Sequence, residues 1–241
     1  MIKADKLLTL EVIKEFQDHI HDLRLSTFTS IEDDAADALP QYFKSEMISD
    51  GKSHPVFSPL FLEGLNSLSD RAARSLSKHR GYLSLSGLTT ISDRTAKMLS
   101  RHRDTLHLDG LPTLSDAAAK SLSKHKGYLG LSGLNGLSET AADAFSNHQG
   151  VLNLSGLTAL SDVNAKILSK HHGHLHLYGV RSLSDEAAGA LSLLKGEMYL
   201  NSSVLLSPAA TEVLKRHGEV FGPPGLAQKV RPRKLPSSQV G

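Results

Sequence analysis

Leu114-Ser-Asp-Ala-Ala-Ala-Lys-Ser-Leu-Ser-Lys-His-Lys-Gly-Tyr-Leu-Gly-Leu-Ser-Gly-Leu134 is one turn of a pattern that returns every 23 residues. Leu68-Ser69-Asp70, Ile91-Ser92-Asp93, Leu137-Ser138-Glu139, Leu160-Ser161-Asp162, Leu183-Ser184-Asp185 and Leu206-Ser207-Pro208 keep its phase. A fixed period of this length marks a stacked repeat. Toward the start, Leu23-Arg-Leu-Ser26 lies over Leu83-Ser-Leu-Ser86, and Ile31-Glu-Asp-Asp-Ala-Ala36 over Leu68-Ser-Asp-Arg-Ala-Ala73. Units therefore begin at 8, 31, 68, 91, 114, 137, 160, 183 and 206. The unit at 31 is longer by 14 residues, and the excess falls within 40–59. Such an insertion reads as a surface loop on one side of the stack, which Tyr42, Phe43 and Met47 could fold back as a short helix.

The first half of each unit reads as a helix of about 10 residues. Ser69 is a good N-cap, Asp70 suits the positive end of the helix dipole, and Pro208 fits the first helical position in the last unit. Leu68, Ala72, Ala73 and Leu76 form one apolar face, with Lys78 and His79 in the last turn and Gly81 free to adopt a left-handed conformation. The second half reads as a short strand. Leu83 and Leu85 point inward, Ser84 points outward, and Gly87 lets the chain turn. Eight such strands are expected, starting at Leu23. Strands lie about 4.8 Å apart whereas helices need roughly 10 Å, so the stack should splay on its helical side. The predicted fold is α/β: a horseshoe solenoid over 1–222, with a parallel β-sheet on the concave face and α-helices on the convex face.

Leu-x-Leu-Ser-Gly-Leu followed by Leu-Ser-Asp-x-Ala-Ala-x-x-Leu resembles the leucine-rich repeat, and is most similar to its cysteine-containing helical variety. The resemblance covers residues 8 to about 218. It implies a binding role of some kind, because the fold carries many. Where that family often has Asn or Cys, this chain has Phe28, Leu65, Leu88, Leu111, Leu134, Leu157 and Val180. Loop backbone groups must then pair between coils or meet water. Thr9 to His19 is expected as a helix covering the first coil. Glu219-Val-Phe221 begins a ninth strand, which Pro223 and Pro224 stop. Residues 223–241 read as a disordered basic tail.

Composition narrows the chemistry. The 241 residues contain no cysteine, which removes disulfides and thiolate chemistry. A net charge of +2 argues against a broad nucleic-acid field. With no apolar leader or membrane-length stretch, a soluble, cytoplasmic, monomeric protein without cofactor is expected. His79, His102, His125, His148 and His171 recur once per unit, too far apart on neighbouring helices to share one metal ion. They read as partly buried, neutral packing residues. In His171-His172-Gly173-His174-Leu175-His176, two histidines and Glu197 could hold a metal, but a flat sheet gives poor ligand geometry. No catalytic constellation is present, so an enzyme is not expected.

What varies between units is the outward row of the strands. His174, His176, Tyr178, Glu197, Tyr199 and Asn201 form its richest patch, in the C-terminal third. Phe61 and Tyr82 form a second patch, and His107 and Asp109 add polar entries. The middle, with Ser84, Ser86, Gly130, Ser132 and Ser155, offers little to grip. The expected function is therefore a non-catalytic protein–protein interaction module that binds another protein on the concave face, away from nucleic acid and membrane. A structural spacer without a dedicated ligand and a His-rich metal- or ligand-binding protein are the alternatives.

Overall fold

The computed structural model describes residues 6–16, 25–49, 52–217 and 220–222, with the backbone alone at 44–49, 52–57 and His217. It opens with β1 (Leu7–Leu8), α1 (Leu10–Glu15), a 3-10 turn (Leu25–Thr27), β2 (Ser30–Ile31) and α2 (Asp33–Tyr42). A hairpin follows, β3 (Lys44–Ser49) and β4 (Lys52–Phe57). The regular coils are β5 (Leu60–Phe61), α3 (Asp70–Leu76), β6 (Leu83–Ser84), α4 (Asp93–Leu99), β7 (Leu106–His107), α5 (Asp116–Leu122), β8 (Leu129–Gly130) and α6 (Glu139–Ser146). They continue with β9 (Leu152–Asn153), α7 (Asp162–Leu168), β10 (Leu175–Leu177), α8 (Asp185–Leu191), β11 (Met198–Leu200), α9 (Pro208–His217) and β12 (Val220–Phe221). Strands β5 to β12 form one parallel sheet in chain order, and successive helices pack side by side. The molecule is an α/β repeat solenoid with sheet on one side and helices on the other.

Each helix starts where its serine can cap it. The Ser69, Ser92, Ser115, Ser138, Ser161 and Ser184 hydroxyls accept the backbone N–H three residues on. The same hydroxyls also tie coils together. Ser92 donates to Asp70 (3.1 Å) and Ser138 to Asp116 (2.5 Å), while Ser69, Ser115, Ser184 and Ser207 donate to Asp33, Asp93, Asp162 and Asp185. Ser161 makes no such bond to Glu139, the one longer acid in the column. Helix α9 reaches ten residues, but α3 to α8 run seven or eight rather than about ten. Their ends tighten into three-residue turns (Lys78 N–H to Ser75 O and His79 N–H to Leu76 O, both 3.0 Å), which swing the histidine inward.

The core is the expected one. Leu83 and Leu85, Ala72 and Ala73, and the column of Leu65, Leu88, Leu111, Leu134, Leu157 and Val180 are all buried. Loop groups beside that column pair between coils, as in Asn66 N–H to Thr29 O and Asn135 N–H to Pro112 O. Gly87 has a different reason from the one expected. A Cβ there would lie 2.0 Å from the Glu63 carbonyl of the previous coil, so the column needs glycine for close approach. Gly81 does take a positive φ of 98°.

Three further expectations are corrected. The sheet begins at Leu60, since Leu25–Thr27 is a 3-10 turn; Leu23 lies outside the described residues. The count of eight still holds because Val220–Phe221 pairs with Met198–Tyr199. The insertion is neither loop nor helix: α2 runs on through Pro40, and 44–57 forms an antiparallel hairpin with Ser49 opposite Lys52. Asp50-Gly51 is a favoured hairpin pair. Helix α1 ends at Glu15; His19 and the tail 223–241 lie outside the described residues.

Candidate recognition surface

On the open face of the sheet, the strand register aligns Phe61, Ser84, His107, Gly130, Asn153, His176, Tyr199 and Phe221 in one central column. Two members are too small to reach solvent: Ser84 and Gly130 are buried. Over each leans the tyrosine two residues earlier. The Tyr82 ring sits between Phe61 (5.2 Å between centroids) and His107 (4.8 Å). The Tyr128 ring continues from His107 (4.8 Å) toward His176 (6.2 Å). Asn153, in the coil between, donates its amide to the Tyr128 hydroxyl at 2.9 Å. His176 then packs on Tyr199 (4.5 Å) and Tyr199 on Phe221 (4.7 Å), with Tyr178 against both His176 and Tyr199. A continuous ladder of rings therefore crosses all eight strands.

The two patches expected from sequence are thus parts of one row, and the middle is not bare. Tyr128 joins them, and Phe221 extends the row past Tyr199. The signal for Tyr128 lay in the pairing of a tyrosine with a small residue two positions later, Tyr82 with Ser84 and Tyr128 with Gly130. A Cβ at Gly130 would lie 2.8 Å from His107 Nδ1, so glycine also leaves space for that imidazole.

The polar members divide by role. Asp109 faces its neighbours: it accepts from His107 Nδ1 (2.5 Å), the Ser132 N–H (2.8 Å) and the Ser132 hydroxyl (2.7 Å). Burial raises its pKa, but these hydrogen bonds outweigh that and hold the carboxyl below its usual value. Asn201 accepts the Ser203 N–H (2.8 Å) and braces a turn. Glu197 accepts the Tyr199 hydroxyl at 2.6 Å. His174 Nδ1 accepts the Glu197 N–H (3.1 Å), and the Glu197 carboxylate lies 3.3 Å from the same nitrogen. Burial, helped by Glu197, pushes the Tyr199 phenol up to about 12. Burial and the His174 charge lower His176, against the pull of Glu197. Phe61, Tyr178 and Phe221 are the exposed rings, at 45%, 44% and 42%.

The histidine column is elsewhere and differently built. His79, His102, His125, His148 and His171 are at most 2% exposed. Their rings stack nearly parallel, with centroids 5.9–6.4 Å apart. His102, His148 and His171 bond through Nε2 to the carbonyls of Gly81, Gly127 and Gly150, and His125 through Nδ1 to that of His102, at 2.7–3.1 Å. The second ring nitrogen of each of these four has no partner of good geometry; nor has either nitrogen of His79, although the main chains of Ser58 and Tyr82 act on that ring. Burial first, then in several the neighbouring imidazole charge, pushes all five pKa values down, His79 and His148 to about 4. Leu194 fills the equivalent place in the next coil, also buried.

Among the described residues no three histidines or carboxylates converge as metal ligands, and the His171–His176 tract splits between the buried column and the sheet face. No helix among them is long and apolar enough to cross a membrane. Compared with known proteins, the chain matches no protein-family model, and no curated sequence is similar enough to count as a match.

Proposed function

We propose that the chain is a leucine-rich-repeat protein of the short helical kind, and that its sheet face binds another protein without catalysis. The observation that carries this is the unbroken ring ladder from Phe61 to Phe221. The leucine core beneath is complete without it, so these rings answer to no demand of the stack. Rigid aromatic side chains bury much area at little entropic cost, as interface anchors do. Catalysis is not called for: the Tyr199 phenol, at about 12, is held in its protonated form, and Asp109 is engaged by its own neighbours. The outward positions of strands β5 to β11 include Glu63, Asp109 and Glu197 but no Lys or Arg. A partner segment with apolar and basic side chains suits that face, through cation–π contact and carboxylate pairing.

Affinity capture on the immobilised full chain, followed by mass spectrometry, tests this. A saturable protein partner should be retained by the wild type and lost from a Tyr82→Ala/Tyr128→Ala variant with an unchanged circular dichroism spectrum. A partner held equally by that variant contradicts the proposal. No saturable partner at all leaves the spacer role in its place.

A further inference from the structure

A second surface, independent of the sheet face, lies along the C-terminal ends of the helices. The units at 68, 91 and 114 each carry a cation six, ten and twelve positions after their start: Arg74, Lys78 and Arg80 in the first, with Lys or Arg at all six equivalent positions of the next two. All nine are exposed. Arg74, Lys78, Arg80, Arg101 and Arg103 surround a cleft of about 320 Å³ between the first two coils. Apart from Arg80, which has other interactions, none of the nine forms an ion pair with a described residue. Three acids temper the field: Asp104 sits near the histidines at this edge, Lys78 helps hold the Asp37 carboxyl low, and Asp143 lines a cleft with Lys120, Lys124 and Lys126.

Cations are favoured at helix C-termini, so the fold itself could have selected them. The later coils argue otherwise. At the same positions the unit at 137 has Asp143, Asn147 and Gln149, the unit at 160 keeps Lys166 and Lys170 but has His172, and the unit at 183 has Gly189, Leu193 and Lys195. The helix ends there are built the same way. Ser146 and Ser192 donate to the carbonyls of residues 143 and 189 (2.8 and 2.7 Å), as Ser77 does to that of Arg74 (2.8 Å). The backbone is thus satisfied without three cations per coil, and the full set of three occurs only in the consecutive units at 68, 91 and 114. The net charge of +2 conceals it, because the helix N-terminal edge is lined by Asp70, Asp93, Asp116 and their equivalents.

We infer that this edge binds the phosphate backbone of nucleic acid without reading base sequence. None of the large exposed hydrophobic residues lies on this edge of the three units, so the edge itself has nothing to insert into a bilayer or to anchor a protein. What the edge offers is charge alone, in three rows about 10 Å apart, a span of about six phosphates along one duplex strand.

Fluorescence anisotropy with a labelled 20-base-pair DNA duplex of arbitrary sequence tests this on the full chain. Saturable binding is expected at low salt, weakening steeply as salt rises. A Lys78→Gln/Arg101→Gln/Arg103→Gln variant should bind at least tenfold more weakly at low salt. Its salt slope should also be shallower, by about 0.9 for each phosphate that the variant no longer neutralises. A Lys6→Gln/Lys14→Gln/Arg181→Gln variant removes as much charge from exposed residues off this edge and should change affinity less than twofold. Absence of saturable binding to the duplex, equal loss in the two variants, or tighter binding to phosphatidylserine vesicles or to polyglutamate would each overturn the inference.

Discussion

Two rows of rings run along this solenoid, one tucked inside the helix ends and one on the open face of the sheet. The inner row repeats a single residue from His79 to His171, with ring planes within 7–14° of parallel. The outer row mixes Phe, Tyr and His, and its planes meet at anything from 12° to 74°. The inner imidazoles fit between coils, four of them bonded to backbone carbonyls, and five consecutive coils keep the same residue before Leu194 replaces it. The outer rings touch one another and polar neighbours on the same open face, Asn153, Asp109 and Glu197, so the core beneath imposes nothing on them. Uniformity marks the part that holds the fold. Irregularity on a regular frame marks the part open to selection by a partner.

The strongest way to sharpen that contrast is acid. A histidine with folded pKa near 4 and unfolded pKa near 6.5 binds more protons when unfolded between those values. Its contribution is present in full above pH 6.5 and is lost progressively as pH falls to about 4. At pH 5 the loss is roughly 2 kcal/mol each for His79 and His148. Asp104 facing the column and the neighbouring His172 and His174 modulate this without reversing its sign. Urea unfolding at pH 7.5 and pH 5 should show a large drop for the wild type and a smaller one for His79→Gln/His148→Gln. An equal drop in both would mean that the inner row is not the acid-sensitive part.

The next effect tests the packing that encloses the inner row. Ala119 is fully buried, and Ala119→Leu should overpack the helix layer by about 1–3 kcal/mol in denaturant melts. Exposed Lys120→Ala should change little. Equal melts for the two would misplace the helix face. A smaller effect separates two serine caps. Ser115 caps Ala118 N–H and also bonds to Asp93, whereas Ser161 caps Asn164 N–H without the tie to Glu139. Ser115→Ala should cost about 1 kcal/mol more than Ser161→Ala. Indistinguishable melts would show that the tie between coils adds nothing.

What the sequence revealed follows the same division. Columns that every coil repeats were legible: the serine caps, the Ala72/Ala73 pair, the leucine core and the buried histidines. The hairpin at 44–57 was missed because its strands are polar and carry Pro55, although Asp50-Gly51 stood between two runs of strand length. The first strand was misplaced because Leu25–Thr27 closes as a 3-10 turn despite matching Leu-Ser in later units. The outer row was half legible. Reading each outward position alone made Ser84 and Gly130 look like gaps, whereas a tyrosine ring reaches across from the neighbouring column to fill each place. The basic edge was hidden by summation, since aspartates line the opposite edge and offset it in the net charge.

The outer row should matter least for stability and most for binding. His176 and Tyr199 are its closest pair, at 4.5 Å, and both point away from the core. Calorimetric titration of the captured partner into wild type and His176→Ala/Tyr199→Ala, alongside their urea midpoints, tests the central claim most directly. The predicted result is a loss of at least about 2 kcal/mol of binding free energy with a nearly unchanged midpoint. Unaltered affinity in the double variant would contradict it.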